Sequence, residues 1–220
     1  IMFTRIHEVT PLKQRFDWDC GLTCVMMLLP EDQRRQFQDN FEGICEEESF
    51  GNSTWTIDLC YLLKRFGIKH ELYTTMVGVN EEHRNNNYYN RIFDLDRTRV
   101  HERFKHAASN GIPILEQQIT PGRIVEHLTV SGPVILLVDS RTLVCDNCPH
   151  NRIMAEVRRC FPSPYQGHYI LLTGVQGPRV LYREPARPRA IDKPCATTVR
   201  RLMQAAAVTG TDDDCILVYR

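Results

Sequence analysis

The residues in this 220-residue chain whose types and spacing suit covalent chemistry begin in the stretch Gln14-Arg15-Phe16-Asp17-Trp18-Asp19-Cys20-Gly21-Leu22-Thr23-Cys24. Asp19 is a residue type that caps helices, and Leu22, Val25, Met26, Leu28 and Leu29 repeat at helical spacing before Pro30 stops the pattern. The spacing therefore predicts a buried helix with Cys20 on its first turn. Unpaired backbone N–H groups and the helix dipole favour an anion at that end, which suits a thiolate nucleophile. Gln14, six residues upstream, supplies an amide donor for the oxyanion formed when such a sulfur attacks a carbonyl. By itself Asp-Cys-Gly decides nothing, because a free cysteine on an apolar helix is commonly a small core residue.

A base comes from far along the chain. Tyr165-Gln166-Gly167-His168 stands where a long irregular connection turns into a strand, and a histidine there can face a cleft while the sheet holds it. Residues Tyr169 to Val175 and Val180 to Tyr182, separated by Gln176-Gly177-Pro178-Arg179, read as an antiparallel hairpin closed by Glu184-Pro185. The first residue of one hairpin strand faces the last of the next, which predicts that His168 and Glu184 are neighbours. Cys20 as nucleophile, His168 as base, Glu184 as the carboxylate holding the imidazole tautomer and Gln14 as oxyanion donor then form a Cys–His–acid set.

The elements that must position these groups are legible in outline. Residues 6–14 alternate weakly and include Pro11, which suits an entry segment or edge strand better than a central strand. Residues 31–53 are polar and acidic and read as a mobile or helical excursion with a solvated surface. Ile57, Leu59, Cys60, Leu62, Leu63 and Phe66 predict a helix capped by Ser53 or Thr54 and ended by Gly67, and Ile68 to Thr74 alternate as a strand. The segment from Asn80 to Asn90 carries no clear pattern. Asp94 to Ala108 reads as an amphipathic helix, Ile112 to Glu116 as a short extended piece, and Thr120-Pro121 opens a helix running to about Val130. Val134 to Val138 predicts a central strand buried on both faces. A helix over about Ala196 to Ala207 and a last strand from Cys215 to Tyr219 complete an α+β chain without internal repeats.

Charge and composition narrow the function classes. The chain carries 27 basic and 27 acidic residues, so no bulk electrostatic argument favours nucleic acid or an acidic membrane surface. No run approaches the roughly 18 apolar residues of a membrane helix, and the first residues lack the apolar core of a secretory signal. Nine cysteines without disulfide-framework spacing predict free thiols in a reducing compartment, cytoplasmic and also compatible with the nucleus. Cys145-x2-Cys148 with His150 and Cys160 nearby is half of a zinc knuckle that needs the other two to converge, the alternative being ordinary loop thiols. Cys24, one turn behind Cys20, reads as core. Asp212-Asp213-Asp214 reads as a hydrophilic turn before a strand, with metal binding as the alternative. No metal or other cofactor is required by this reading.

Trp18-Asp19-Cys20-Gly21-Leu22, Trp55-Thr56-Ile57-Asp58-Leu59, Tyr165-Gln166-Gly167-His168-Tyr169-Ile170 and Gly210-Thr211-Asp212 resemble the guanylyl cyclase domain-containing protein 1 family over nearly the whole chain. That family is in turn similar to the bacteriocin-leader-processing cysteine peptidases, which have a papain-like fold. There, a Gln-x5-Asp-Cys-Gly segment carries the oxyanion glutamine and the nucleophile, and a histidine on one strand and an Asp-Pro ending the next complete the site. The resemblance implies a single papain-like domain over 1–220, helix-rich over about 15–130 and sheet-rich over about 133–220, with its nucleophile helix packed on a mainly antiparallel sheet. It places Gln14, Cys20 and His168 in those roles, while Glu184 is longer than the usual Asp or Asn by one methylene. The expected activity is a thiol hydrolase of a peptide or protein substrate. The family name implies a different reaction, cyclisation of GTP to cyclic GMP, for which the chain has no Gly-x4-Gly-Lys-Ser/Thr phosphate loop. A third possibility is a non-catalytic adaptor that binds partners through its variable loops.

Overall fold

The computed structural model describes residues 4–79, 93–148, 165–187 and 193–220. In chain order these form β1 (Thr4–Ile6), α1 (Cys20–Leu28), α2 (Glu31–Asp39), α3 (Phe41–Glu47), α4 (Thr56–Arg65), β2 (His70–Thr74), α5 (Phe93–His106), β3 (Ile114–Glu116), α6 (Pro121–Val130), β4 (Val134–Asp139), β5 (Gly167–Gln176), β6 (Arg179–Arg183), β7 (Cys195–Thr198), α7 (Val199–Ala206) and β8 (Cys215–Val218). The strands make one sheet in the order β3-β2-β8-β4-β5-β6-β7, with β1 pairing on β5. Among the described residues only β2 and β3 run parallel; every other pairing is antiparallel. The fold is α+β with a mainly antiparallel sheet. No helix among the described residues is long and apolar enough to cross a membrane.

Strand periodicity divides the core into two. Ile135, Leu137, Tyr169 and Leu171 pack on one face with residues of α1 to α5, and Val134, Leu136, Val138, Ile170 and Leu172 pack on the other with residues of α6 and α7. Helices cover both faces, so all six residues of β4 are buried, as its unbroken apolar run requires. Each fully buried aliphatic side chain contributes about 1.5–3 kcal/mol. Thr120 caps α6 by accepting from the Arg123 N–H at 3.2 Å, with Pro121 as its first residue. Gly67 and Gly111 stand just beyond α4 and α5 in the left-handed region, with φ of +70° and +67°.

Three sequence expectations need correction, and one open alternative is decided. Residues 31–53 hold two short helices, α2 and α3, whose Phe37, Phe41 and Ile44 are buried together with Phe50. These apolar side chains are sparse among charges, so the segment packs where its composition reads as solvated surface. Regular pairing at the start of the chain is limited to Thr4–Ile6, so the stretch that follows is an entry segment and not an edge strand. The residue before α4 is Trp55, whose backbone N–H donates to the Asp58 carboxylate at 2.9 Å, displacing Ser53 and Thr54 from the capping position. The predicted helix from Ala196 begins as strand β7, and α7 starts only at Val199 with Thr198 as its cap, accepting from the Arg201 N–H at 3.3 Å. The segment 80–90 and most of the long connection after Cys148 lie outside the described residues.

Candidate active site

Cys20 is the first residue of α1, and α1 lies across β5. The close approach depends on Gly21. A Cβ there would stand 2.9 Å from the Leu59 side chain and 3.0 Å from the Tyr169 ring, closer than real Cβ contacts come. The helix start therefore seats directly on the beginning of β5, and the Tyr169 backbone N–H donates to Cys20 Sγ at 3.5 Å. Asp19 occupies the position before the helix but makes no side-chain cap. Its buried carboxylate instead accepts the backbone N–H groups of Arg15 and Phe16 at 3.1 and 3.0 Å. Asp19 thus folds the loop that leads into α1, a correction to its expected capping role. Burial raises its carboxyl above the usual range against those donors.

His168, one residue into β5, hydrogen-bonds through Nε2 to Glu184 Oε1. Both are buried, as is Cys20. The two strands do not face each other by simple end-to-end pairing. A register shift between Leu172 and Gly174 makes Leu171 the partner of Arg183. Continued one step beyond the strand, that register sets Glu184 opposite Ile170, in the row of alternate residues to which His168 belongs.

The electrostatics follow from this packing. Burial alone would lower the His168 pKa, but the Glu184 carboxylate and the Cys20 sulfur beside it outweigh burial and raise it to about 10. Burial pushes Glu184 up, and His168 with Arg187 and the Ala186 N–H pulls it below the usual carboxylate range. The arrangement favours an imidazolium paired with the Glu184 carboxylate. Cys24 is fully buried and burial pushes its thiol well up, as expected of a core residue.

Gln14 reaches this corner by its backbone, donating its N–H to the Pro185 carbonyl at 3.0 Å. Its side-chain amide donates to the Phe16 carbonyl at 2.6 Å, and its Oε1 is buried without a hydrogen-bond partner among the described residues. Cys20, His168 and Glu184 therefore converge, with Gln14 tied to the residue after Glu184 and its amide turned into its own loop. Three participants escape sequence reasoning: the Tyr169 N–H, the Asp19 carboxylate as a loop organiser, and Arg187 beside Glu184. None has a side-chain pattern that marks it.

Of the other candidates, Asp212 and Asp213 form a turn with φ of +49° and +53°. The Asp214 carboxyl turns inward, taking a hydrogen bond from the Thr56 hydroxyl, and burial raises it to about 8. Among the described residues, the grouping of metal-type side chains is Cys145, Cys148 and Cys195. Cys195 was absent from the sequence reading, and His150 and Cys160 lie outside the described residues.

The chain matches the family model described as Guanylylate cyclase over residues 9–218. It is also 29% identical over 216 residues to the protein named Guanylyl cyclase 1 of Arabidopsis thaliana, covering 96% of this chain and 75% of that one.

Proposed function

This chain belongs to the guanylylate cyclase family, and within that family we propose that it is a papain-like thiol hydrolase of peptide or amide bonds, built as one domain over 1–220. The reading rests on one observation: Cys20 Sγ, at the start of a buried helix, meets His168, whose Nε2 is held by Glu184. With Nε2 occupied, Nδ1 is left to serve the sulfur. The thiolate attacks the carbonyl carbon, and the carbonyl electrons move onto oxygen. Backbone donors at the α1 start and the Gln14 amide, once turned from Phe16, receive the oxyanion. Collapse expels the amine, which takes the proton from His168, and leaves an acyl-Cys20 thioester. Water, deprotonated by His168, attacks that thioester and restores the thiolate. Glu184 holds the ring in one orientation throughout.

A substrate-free test uses an electrophilic thiol probe at limiting concentration. Cys20 is expected to label ahead of the other cysteines, with His168→Ala slowing it by about 10²-fold or more. Uniform labelling of the exposed cysteines, or labelling indifferent to His168→Ala, overturns the proposal.

The family description and the name of the Arabidopsis relative favour a second reading, formation of cyclic GMP from GTP with release of pyrophosphate. That reaction calls for carboxylates that hold magnesium against a triphosphate. Magnesium-dependent cyclic GMP production that survives Cys20→Ser would select it over the hydrolase.

A further inference from the structure

We propose that Cys145, Cys148 and Cys195 form a structural zinc site that fastens the loop after β4 to strand β7. Three sulfurs from two distant segments lie within 4.8 Å of one another. A tetrahedral zinc with Zn–S bonds near 2.3 Å sets its sulfurs about 3.8 Å apart, so small side-chain rotations suffice. The three thiols are free. Cys145 and Cys195 are buried, and Cys148 is half-buried, which leaves an ion a way in.

The backbone around them is built to hold this convergence. The Asp146 N–H donates to the Ala196 carbonyl at 2.7 Å, and the Asn147 side chain donates to the Pro194 carbonyl at 3.0 Å. Arg201, on α7, donates to Asp146 at 2.8 Å. Backbone N–H groups of Asn147 and Ala196 are directed at the Cys145 sulfur, the outer-shell hydrogen bonding that thiolate ligands of zinc receive. The buried Tyr182 hydroxyl lies beside Cys145 and Cys195. Three soft sulfur ligands in one largely buried cluster select zinc over magnesium or calcium, which take oxygen ligands. Binding releases the thiol protons to solvent, and the described residues leave a fourth coordination position for another ligand.

The site has a mechanical effect. Cys195 pairs with Tyr182 of β6, two residues before Glu184, so the metal would tie down the sheet edge next to the carboxylate. This inference is independent of the hydrolase reading, since none of its three ligands belongs to that set.

The test is metal analysis of the full chain purified under reducing conditions, stripped with a chelator and reloaded with zinc or cobalt alone. About one zinc per chain should survive desalting, and cobalt should give a thiolate-to-metal charge-transfer band. Cys148→Ser, at the half-buried position, and Cys195→Ser should each weaken zinc binding by at least tenfold, with folding followed by circular dichroism. Cys45→Ser should retain the metal. Cys20→Ser should also retain it while losing probe labelling, which separates failure of this site from failure of the hydrolase. Zinc that never binds the reduced chain, or that stays equally tight in Cys148→Ser, overturns the proposal. So does quantitative disulfide formation among the three cysteines in place of metal binding, which would make them a redox group.

Discussion

Leu171 of β5 lies opposite Arg183 of β6, one residue away from Glu184, the partner that the pairing of Gln176 with Arg179 near the turn would assign it. In an unbroken ladder Glu184 would therefore share a face with Leu171 and point away from His168. The extra residue accommodated between Leu172 and Gly174 reverses that parity. Glu184 meets His168 because the hairpin is irregular.

Glu184 is the main source of the raised His168 pKa. Ring-nitrogen NMR should show His168 doubly protonated through neutral pH and titrating near 10. Glu184→Gln should bring the titration down markedly and slow Cys20 labelling by about tenfold or more, whereas Glu184→Asp should restore part of both. An unchanged His168 titration in Glu184→Gln would refute this assignment.

The same pair ties stability to pH at both ends of the range. The folded-state pKa of His168 exceeds its ordinary value of 6.5, so its contribution is complete below pH 6.5 and is lost as pH rises through about 10. That of Glu184 is depressed, so its contribution is present above the ordinary carboxylate range and is lost as pH falls through the lowered value. Urea unfolding of the wild type should weaken between pH 8 and 10, and Glu184→Gln should flatten much of that loss.

Asp58 carries the ion network that fixes α5 on α4. Its side chain is fully buried and accepts from Arg99 at 3.0 Å and Arg103 at 2.7 Å. Arg99 also meets Asp96, and Arg103 meets Glu48, both at 2.8 Å. Asp58→Ala removes the buried carboxylate that both guanidinium groups share, leaving Arg99 on Asp96 and Arg103 on Glu48, and should cost about 3 kcal/mol. The check is a lower urea midpoint with an unchanged slope.

Asp214 works in the opposite sense. Its folded-state pKa, about 8, lies above the ordinary 3.8, so folding retains a proton that the unfolded chain gives up. The carboxyl therefore lowers stability as pH rises from 3.8 to about 8, by about 1.4 kcal/mol per unit within that window. Asp214→Asn should melt above wild type at pH 8, with the difference shrinking toward pH 4.

Much of this architecture is legible in the residues. The unbroken Val134 to Val138 run could only be a strand covered on both faces, and Thr120-Pro121 starts α6 where a cap and a proline should. One helix start and one hairpin single out Cys20, His168 and Glu184 as a group, but the register shift between Leu172 and Gly174 that turns Glu184 toward His168 leaves no mark in the sequence. What stayed hidden has physical causes. Phe37, Phe41 and Ile44 are too widely spaced among charges to announce α2 and α3. Cys195–Thr198 is too short to show strand periodicity, so nothing local sets Cys195 beside Cys145 and Cys148. Asp19 looks like a cap because its type and position fit, but nothing local reveals that its carboxylate turns back to Arg15 and Phe16.

Tyr169 sits at the junction of two networks through different atoms. Its backbone N–H reaches Cys20 Sγ, while its phenol donates at 2.8 Å to the Thr56 hydroxyl, which in turn donates to Asp214. The backbone contact survives any change of side chain, and the phenol contact does not. Amide exchange at position 169 is therefore a built-in gauge of whether the sulfur is free or alkylated, and Tyr169→Phe cuts the wire to α4 without disturbing the gauge.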